Sequence, residues 1–385
     1  MNEPLTCQRH LFPEKAVAGY LNGASRAPQL HAVAAAGRAA LAWREENSGM
    51  PIPAFFEPVE ALKNTFAKLL GATEVERVAL IPSVSYGVAT VAKNLPLARG
   101  QNIIVVEDQF PSNVYAWAEK CKKTGAELRT VPRPAAGSPA SWQERVLAAI
   151  DARTATVAIA NVHWADGSLF DLVGLRERTD AVGAWLVVDA TQSLGALPFD
   201  LSAIRPDAVI AAGYKWLMGP YGCAYAWYGP RLDGGKPLEE NWINRAGSED
   251  FRNLLHYREE YRPLANRYSV GEHSNFLMTP MQRAGLEQVL AWDPARIQTY
   301  CAGLWATVET ELLALGVSLP AQRAQHLVGL RLPAHCSGER LAQELSRRNL
   351  QVSYRGDAVR VSPNVYTTPA EMQEFLAAVT ASIVR

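Results

Sequence analysis

The sequence predicts an α/β protein with a large domain built on a mainly parallel seven-stranded sheet and a smaller C-terminal α+β domain. Three observations support this prediction. Seven short apolar runs recur between residues 77 and 228, without the polar–apolar alternation of a half-exposed strand. Helical stretches separate these runs, as in successive strand–helix units. The 385 residues also suffice for one large and one smaller domain.

The first predicted elements are helices. Residues 28–46 are rich in Ala, Leu and Arg, residues 58–70 carry apolar side chains at helical spacing, and residues 86–93 follow a turn of small residues. The predicted strands are residues 77–82, 102–107, 127–131, 156–162, 185–190, 208–212 and 225–228. The predicted crossover helices between them are residues 113–123, 140–149 and 172–182.

The regular pattern ends after Gly229. Residues 230–275 are charged and aromatic with little periodicity, and an irregular stretch of this length is usually functional or part of an interface. Residues 281–316 predict one long helix, or two helices with a break at Pro294.

The C-terminal segment predicts the small α+β domain. Its elements are an apolar run at 326–332, a helix at 339–349, a hairpin at 351–362 around Arg355-Gly356-Asp357, and a final helix from Pro369. The predicted organisation is an N-terminal arm of residues 1–24, a large domain of residues 25–280 and a small domain of residues 281–385.

Composition narrows the class of protein. Lys and Arg together number 38, as do Asp and Glu, so the net charge is zero. This charge balance gives no indication of a nucleic-acid or anionic-membrane partner. No run of about 18 apolar residues and no secretory leader is visible, so we expect a cytoplasmic protein. The five cysteines are scattered without a CxxC pair, which indicates neither a zinc site nor a disulfide framework.

Lys215 lies where a solubilising charge is unusual. It follows the predicted strand 208–212, among aromatic residues, with Gly213 before it and Gly219 after it. Burial at such a strand end would lower the pKa of the lysine and leave a nucleophilic amine, as a Schiff-base lysine requires. The competing interpretation is a lysine that extends from a loop to solvent.

Other polar residues also follow strand ends. Asp189 closes the apolar strand 185–190, which points its carboxylate into the crevice at the sheet's carboxyl edge, and Gln192 lies three residues on. Ser83 and Ser85 precede a helix, where hydroxyls and backbone N–H groups suit a phosphate. A serine N-cap would explain Ser83 equally well, and N-capping is also the alternative for Asp189, although the 26-residue gap from Asp189 to Lys215, which spans one helix and one strand, favours the functional interpretation.

In this order, the segments at residues 81–90, 185–196 and 208–229 resemble the class V aminotransferase family of fold-type I enzymes. That family depends on pyridoxal 5′-phosphate (PLP) and includes cysteine desulfurases, kynureninases and isopenicillin N epimerase-like proteins. The resemblance extends from YLNGAS at residues 20–25 to RVSPNVYTTPAE at residues 360–371.

The resemblance implies a role for each of these residues. Lys215 would form the Schiff base with PLP, and Asp189 would partner the pyridine nitrogen and keep the ring an electron sink. Gln192 would contact the ring oxygen. The implied phosphate cradle is Ser83, Val84 and Ser85.

Three further matches lean towards kynureninases. EDQFPSNVY at residues 107–115 implies that Phe110 stacks on the PLP ring, although a core phenylalanine is an equal alternative. NVHWADGSLFDL at residues 161–172 implies that His163 and Trp164 lie on the substrate side. Tyr214 matches a tyrosine that contacts the phosphate.

The small domain supplies the implied carboxylate-binding residue. Arg360 matches the arginine that binds the substrate α-carboxylate, a task suited to a planar guanidinium, and Asn22 is implied to line the substrate side. Arg355 competes for this role, but its turn predicts a solvated side chain. Persulfide-forming desulfurases carry a cysteine just before this arginine, and LQVSYRGDAVR has none.

Residues of the irregular stretch are implied to act across a homodimer interface. VGEHSNF contains His273 and Asn275, where desulfurases and kynureninases have a GTP-like turn. These residues, together with Trp242, are candidates for meeting the cofactor or substrate of a neighbouring subunit. For each of them, a plain loop or interface role is the competing interpretation.

The resemblance implies an enzyme that removes the α-proton of an amino acid, with Lys215 as general base. The kynureninase-type matches favour cleavage of a bond at Cβ by a lyase. Transamination and epimerisation are alternatives that the same residues could support. A non-catalytic PLP-fold protein that binds a partner is a third hypothesis, which the intact Lys215, Asp189 and Arg360 disfavour.

Overall fold

The computed structural model describes residues 3–135 and 138–383. The predictions that extend the arm to residue 1 and the small domain to residue 385 therefore reach outside the described residues. Among the described helices, none has the length and apolarity needed to cross a membrane.

A seven-stranded sheet forms the centre of the large domain. Its strands are β1 Val78–Ile81, β2 Asn102–Val106, β3 Glu127–Val131, β4 Thr154–Ala160, β5 Trp185–Asp189, β6 Ala208–Ala212 and β7 Ala224–Tyr228. They lie in the order β1-β7-β6-β5-β4-β2-β3. The strands from β6 through β3 pair in parallel, whereas β7 is antiparallel to both β1 and β6. The predicted mainly parallel sheet is confirmed.

Burial on both faces explains why most of the strand runs are largely apolar, whereas the edge strand β3 is partly exposed. Every residue of β2, β4, β5, β6 and β7 is buried, because two separate hydrophobic clusters cover the two faces of the sheet. Neighbouring residues of one strand, such as Val209 and Ile210, therefore join different clusters. A strand with apolar partners on both faces has no polar positions to alternate.

Helices of the predicted extent surround this sheet. They are α1 His31–Glu46, α2 Glu57–Leu70, α3 Val84–Asn94, α4 Tyr115–Thr124, α5 Trp142–Ala149 and α6 Leu172–Val182. Two single-turn helices lie at Glu14–Val17 and Leu201–Ile204.

The segment predicted as one or two helices forms three. They are α7 Met278–Trp292, α8 Pro294–Ala306 and α9 Glu309–Ala314. The break falls where the sequence predicted it, because Asp293 caps α8 and Pro294 occupies the first helical position, where its missing N–H costs nothing. Helix α7 packs against α1 and α2, so its contacts are with the large domain.

The C-terminal part has the predicted α+β content. Its elements are β8 Val328–Arg331, α10 Gly338–Arg347, β9 Ser353–Arg355, β10 Ala358–Val361 and α11 Pro369–Ala381. The strands form an antiparallel sheet in the order β8-β10-β9. A third hydrophobic cluster joins these elements to Leu304, Val308 and Leu312. The division of the chain at residue 280 stays a prediction.

Candidate active site

A cleft of about 240 Å³ opens at the carboxyl ends of the central strands. The last residues of β4, β5 and β6 all line it, which is where open parallel sheets bind ligands. The predicted residues that line the cleft are Ser83, Val84, Ser85, Phe110, Trp164, Asp189, Gln192, Tyr214 and Lys215. Segments more than 100 residues apart in the chain thus meet at one place.

Lys215 is buried, with 6% of its surface exposed, and its position follows from the loop that carries it. Gly213 N–H donates to the Cys223 carbonyl, and Gly219 N–H donates to the Gly213 carbonyl, which closes the loop on the end of β6. Burial lowers the pKa of Lys215 to about 8, which Asp189 opposes and Arg360 and Arg355 reinforce. The prediction of a desolvated amine therefore agrees with the geometry, and the alternative of a solvent-exposed lysine does not.

Asp189 ends β5 at the floor of the cleft and is also buried. One carboxylate oxygen accepts a hydrogen bond from Thr191 N–H at 3.0 Å. Burial raises the pKa of the carboxyl, and Thr191 and Lys215 act in the opposite direction. Asp189 does not cap a regular helix, so its carboxylate is available to a cationic or N–H-bearing group in the cleft.

Ser83 and Ser85 lie at the start of α3, at one end of the cleft. Ser83 caps this helix, since its Oγ accepts from Tyr86 N–H, and its hydroxyl lies 2.9 Å from that of Ser85. Gly87 lets the helix approach the sheet, because a Cβ there would lie 2.8 Å from Ile81 and 2.9 Å from Ile210. Capping and anion binding are compatible, since the helix N-terminus and two hydroxyls face the cleft together.

Two hydrogen bonds, one from the amide nitrogen and one to the amide oxygen, fix the Gln192 side chain. Its Nε2 donates to the Ala24 carbonyl at 3.1 Å, and its Oε1 accepts from Trp216 Nε1 at 2.9 Å. One amide hydrogen is left for a ligand, which fits the predicted contact to a ring oxygen.

Aromatic side chains form the opposite wall of the cleft. The Phe110 ring centroid lies 5.5 Å from Lys215 Nζ, and the Trp164 ring meets Phe110 edge-on at 5.4 Å. Tyr214 packs against Tyr221 at 4.5 Å near the mouth, where Tyr221 is 72% exposed. Phe110 is 37% exposed, so it is not a core phenylalanine. A flat ligand could pack against its ring.

Arg360 is buried next to the cleft, and its side chain is held by three hydrogen bonds to neutral groups. Its guanidinium donates to Ser353 Oγ, to the Trp164 carbonyl and to Ser25 Oγ at 2.7–3.0 Å. Burial, and then the charge of Arg355, lower the pKa of Arg360 to about 9. Asn22 reaches Arg360 only indirectly, since its Oδ1 accepts from Ser25 Oγ.

His163 does not line the cleft, which corrects its predicted place on the substrate side. Its ring is fully buried, packs on Trp142 at 5.0 Å and lies 3.3 Å from Asp166, which also binds Arg133. The loop turns at Trp164, so the side chains of His163 and Trp164 lie in different environments. Only Trp164 reaches the cleft.

Trp242, His273 and Asn275 also lie outside the cleft of their own chain. Trp242 packs against Phe55 and Phe251, and the Asn275 side chain accepts from Met278 N–H at the start of α7. His273 lines a neighbouring cavity, and burial lowers its pKa to about 3. Their predicted contact with a partner's cleft stays a prediction.

The structure also adds residues that the sequence analysis did not single out. The cleft is lined by Ser112, Thr191, Tyr221 and Cys223 as well. Thr191 follows Asp189 by two residues, so its hydroxyl could have been recognised from that spacing. Arg355 is half-buried rather than solvated, because its guanidinium lies 5.3 Å from the Trp164 ring centroid.

The chain is similar to known proteins. The family model described as aminotransferase class-V matches residues 53–360. The Bacillus subtilis (strain 168) protein named uncharacterized aminotransferase YcbU is 25% identical over 329 residues, 85% of each chain. Isopenicillin N epimerase from Streptomyces clavuligerus is 30% identical over 182 residues, 47% of this chain and 46% of the epimerase.

The fold has close counterparts among solved structures. A C-DES mutant with glycine covalently linked to its PLP cofactor superposes with a TM-score of 0.85 and covers 98% of this chain and 100% of that one. At 18% identity, this likeness shows the fold alone.

Proposed function

This chain belongs to the aminotransferase class-V family, and from that premise we propose that it is an enzyme that cleaves a bond at Cβ of an amino acid, using PLP held by Lys215. The cofactor of this family is PLP. One observation carries the proposal for this chain. A buried lysine of lowered pKa lies beside a buried aspartate at adjoining strand ends, in a cleft with an anion-binding helix start.

The residues of the cleft fit this cofactor. Lys215 offers an amine that is partly neutral near neutral pH, as attack on an aldehyde requires. Ser83, Ser85 and the N-terminus of α3 suit a phosphate, and Asp189 suits a protonated ring nitrogen. Phe110 would cover one face of the ring.

The chain's own residues then account for the first chemical step. When bound, PLP supplies an aldehyde that condenses with amines and a ring that accepts the electron pair released at Cα. Once the substrate amine has displaced it, Lys215 would accept the Cα proton, and the Asp189 carboxylate would pair with a protonated ring nitrogen. Arg360 orients the α-carboxylate with a guanidinium that its neutral neighbours hold in place.

The lining of the cleft favours a reaction served by a single basic amine. Among the described residues that line it, Lys215 is the only amine, and no imidazole is present. Epimerisation with a second base would use Tyr214, Tyr221 or Cys223, which ordinarily stay protonated at neutral pH. One amine can serve the Cα deprotonation that precedes Cβ cleavage, which supports a lyase over an epimerase with two bases.

Transamination is the second candidate. A relative that matches 85% of the chain bears the name of an aminotransferase, and a proton shift by one lysine would serve that reaction too. The two candidates differ in whether the cofactor is regenerated without a second substrate.

Product analysis tests the proposal. The holoenzyme is incubated with a panel of L-amino acids without a keto-acid acceptor, while the visible spectrum of the bound cofactor is recorded. We expect sustained release of ammonia and pyruvate, or of alanine, with recovery of the original absorbance band. A single turnover that ends with the cofactor as its amine would contradict the lyase and support the aminotransferase.

Two variants provide the control. Lys215→Ala should abolish turnover and the lysine-dependent absorbance band, because no other described amine lines the cleft. Lys123→Ala removes an exposed lysine at the end of α4 and should leave both unchanged. Full activity in Lys215→Ala would refute the proposed role of this residue.

A further inference from the structure

Two arginines of the small domain share one indole ring beside the cleft. The guanidinium carbon of Arg355 lies 5.3 Å, and that of Arg360 6.0 Å, from the Trp164 ring centroid. Arg360 lies on β10, and Arg355 ends β9 at the hairpin turn that joins the two strands. Trp164 itself lines the cleft, so both guanidinium groups lie next to a residue of its wall.

Neither arginine has an acidic partner among the described residues. Three arginines of the described chain are buried, and two of them are paired, Arg77 with Glu74 and Asp233, and Arg176 with Asp180 and Asp207. Arg360 forms no such pair. A buried cation without an anion is costly unless another molecule supplies the charge.

Arg355 is in a similar position, although it is half-buried. Its Nε is buried and has no hydrogen-bond partner among the described residues, and Nη1 donates only to the neighbouring Tyr354 carbonyl. The acid of its own turn, Asp357, instead accepts from Arg331 Nε at 2.9 Å. The turn thus leaves Arg355 free of the carboxylate nearest to it in sequence.

Positive charge also exceeds negative charge among the groups that act on Lys215. Asp189 raises the pKa of Lys215, whereas the charges of Arg360 and Arg355 both lower it, so both arginines are close enough to influence the amine. The α-carboxylate of a substrate balances one arginine. The cofactor phosphate is matched by Ser83 and Ser85 at the start of α3, which leaves the charge of Arg355 without a partner.

Building on the proposed function, we infer that Arg355 binds a second anionic group, carried by the substrate side chain, while Arg360 binds the α-carboxylate. The substrate class is an L-amino acid with an acidic side chain, a carboxylate or a sulfinate. A guanidinium with unused N–H groups suits either anion, because its planar fork matches two oxygens. Trp164 holds the two arginines in one arrangement, so the two anionic groups of one substrate could be bound together.

Exchange of the α-proton tests this inference without assuming the later reaction. The holoenzyme is incubated in D2O with matched acids and amides, L-aspartate against L-asparagine and L-glutamate against L-glutamine, and with L-cysteine sulfinate against L-cysteine. Loss of the α-proton signal is followed by NMR. We expect the α-proton of each acid to exchange about 10- to 100-fold faster, per unit concentration, than that of its uncharged counterpart. This ratio corresponds to the free energy of one charge-assisted hydrogen bond.

Arg355→Gln should remove most of this preference, and Arg355→Lys should restore part of it. The matched control is Arg347→Gln, an exposed arginine of the same domain that pairs with Glu344 on the surface. Thermal unfolding and the amount of bound cofactor should be unchanged in all three variants, because Arg355 lies on a half-exposed turn.

Binding provides a second readout that does not depend on activity. Calorimetry with succinate, which has two carboxylates, should show tighter binding than with butyrate, and Arg355→Gln should remove the difference. Exchange without a preference for acids, or a preference that survives Arg355→Gln, would overturn this inference alone. Absence of exchange with every amino acid would instead contradict the proposed function.

Discussion

Lys215 owes its reactivity to its place at the end of β6. The amine is buried beside Asp189 but also close to Arg360 and Arg355, and burial dominates, so its pKa falls from 10.5 to about 8. At pH 7 about a tenth of such an amine is neutral, against less than about one in a thousand for an ordinary lysine. A residue that must attack an aldehyde benefits directly from this difference.

The pH dependence of cofactor capture checks this property. The pKa is lowered, so the neutral, reactive form increases as the pH rises and its fraction is half-maximal near pH 8. We expect the rate at which apo-protein acquires the cofactor absorbance band to rise between about pH 7 and pH 9 and then to level off. A rate that still rises steeply above pH 10 would show an ordinary amine. Lys215→Ala gives the baseline.

Helix α7 supports the loop that carries the lysine. Gln282 donates to the Pro220 carbonyl and accepts from Tyr225 Oη, and Gly285 lies against the backbone of Leu217 and Met218. A Cβ at Gly285 would lie 2.8 Å from the Leu217 carbonyl oxygen, where no flexible side chain can move aside. The geometry of the site therefore depends on a helix that contributes no residue to its lining.

Substitution at Gly285 tests this support. Gly285→Ala should separate α7 from the lysine loop, lower the free energy of unfolding by about 1–3 kcal/mol as overpacking does, and weaken cofactor binding. Gly303→Ala in α8 is the control, because a Cβ there meets no atom within 4 Å, and it should stabilise by about 0.5–1 kcal/mol. The measurements are chemical denaturation and cofactor titration. Equal effects in both variants would refute the role of α7.

At the scale of the whole molecule, one face carries exposed apolar residues. Trp43, Ile52 and Leu277 are 37–40% exposed, and Trp43 borders an apolar groove that also includes Met50 and Phe276. Contiguous exposed apolar patches often mark protein–protein interfaces. Asn275 lines the same groove, which suits the proposal that a homodimer forms here and brings the segment 271–276 near a partner's cleft.

Light scattering checks the proposed dimer. We expect a particle of two 42.1 kDa chains, and we expect Trp43→Glu to shift it towards the single-chain mass, because a charge at the interface must lose its hydration. Leu313→Glu, at a 50% exposed leucine on α9, is the control and should leave the mass unchanged. A fully active single chain would contradict the proposal.

The sequence by itself determined the strands, most helices and the central residues of the cleft. The seven strands were found within two residues of their bounds, because most of them are buried on both faces and such strands have a local, apolar signature. Asp189 ends its strand, and Lys215 and the serines follow theirs within a few residues, so the shared carboxyl edge of the sheet predicts that they meet.

Only the tertiary structure decided which side chains of the loops reach the cleft. His163 and Trp164 are adjacent in sequence, yet one packs in the interior and the other lines the cleft, because turn geometry fixes their directions. Arg360 is bonded to Ser25 and to Trp164, 335 and 196 residues away. The missing acidic partner of Arg355 likewise depends on Asp357 pairing across the sheet with Arg331. Such pairings join distant segments, and no local pattern of residues encodes them.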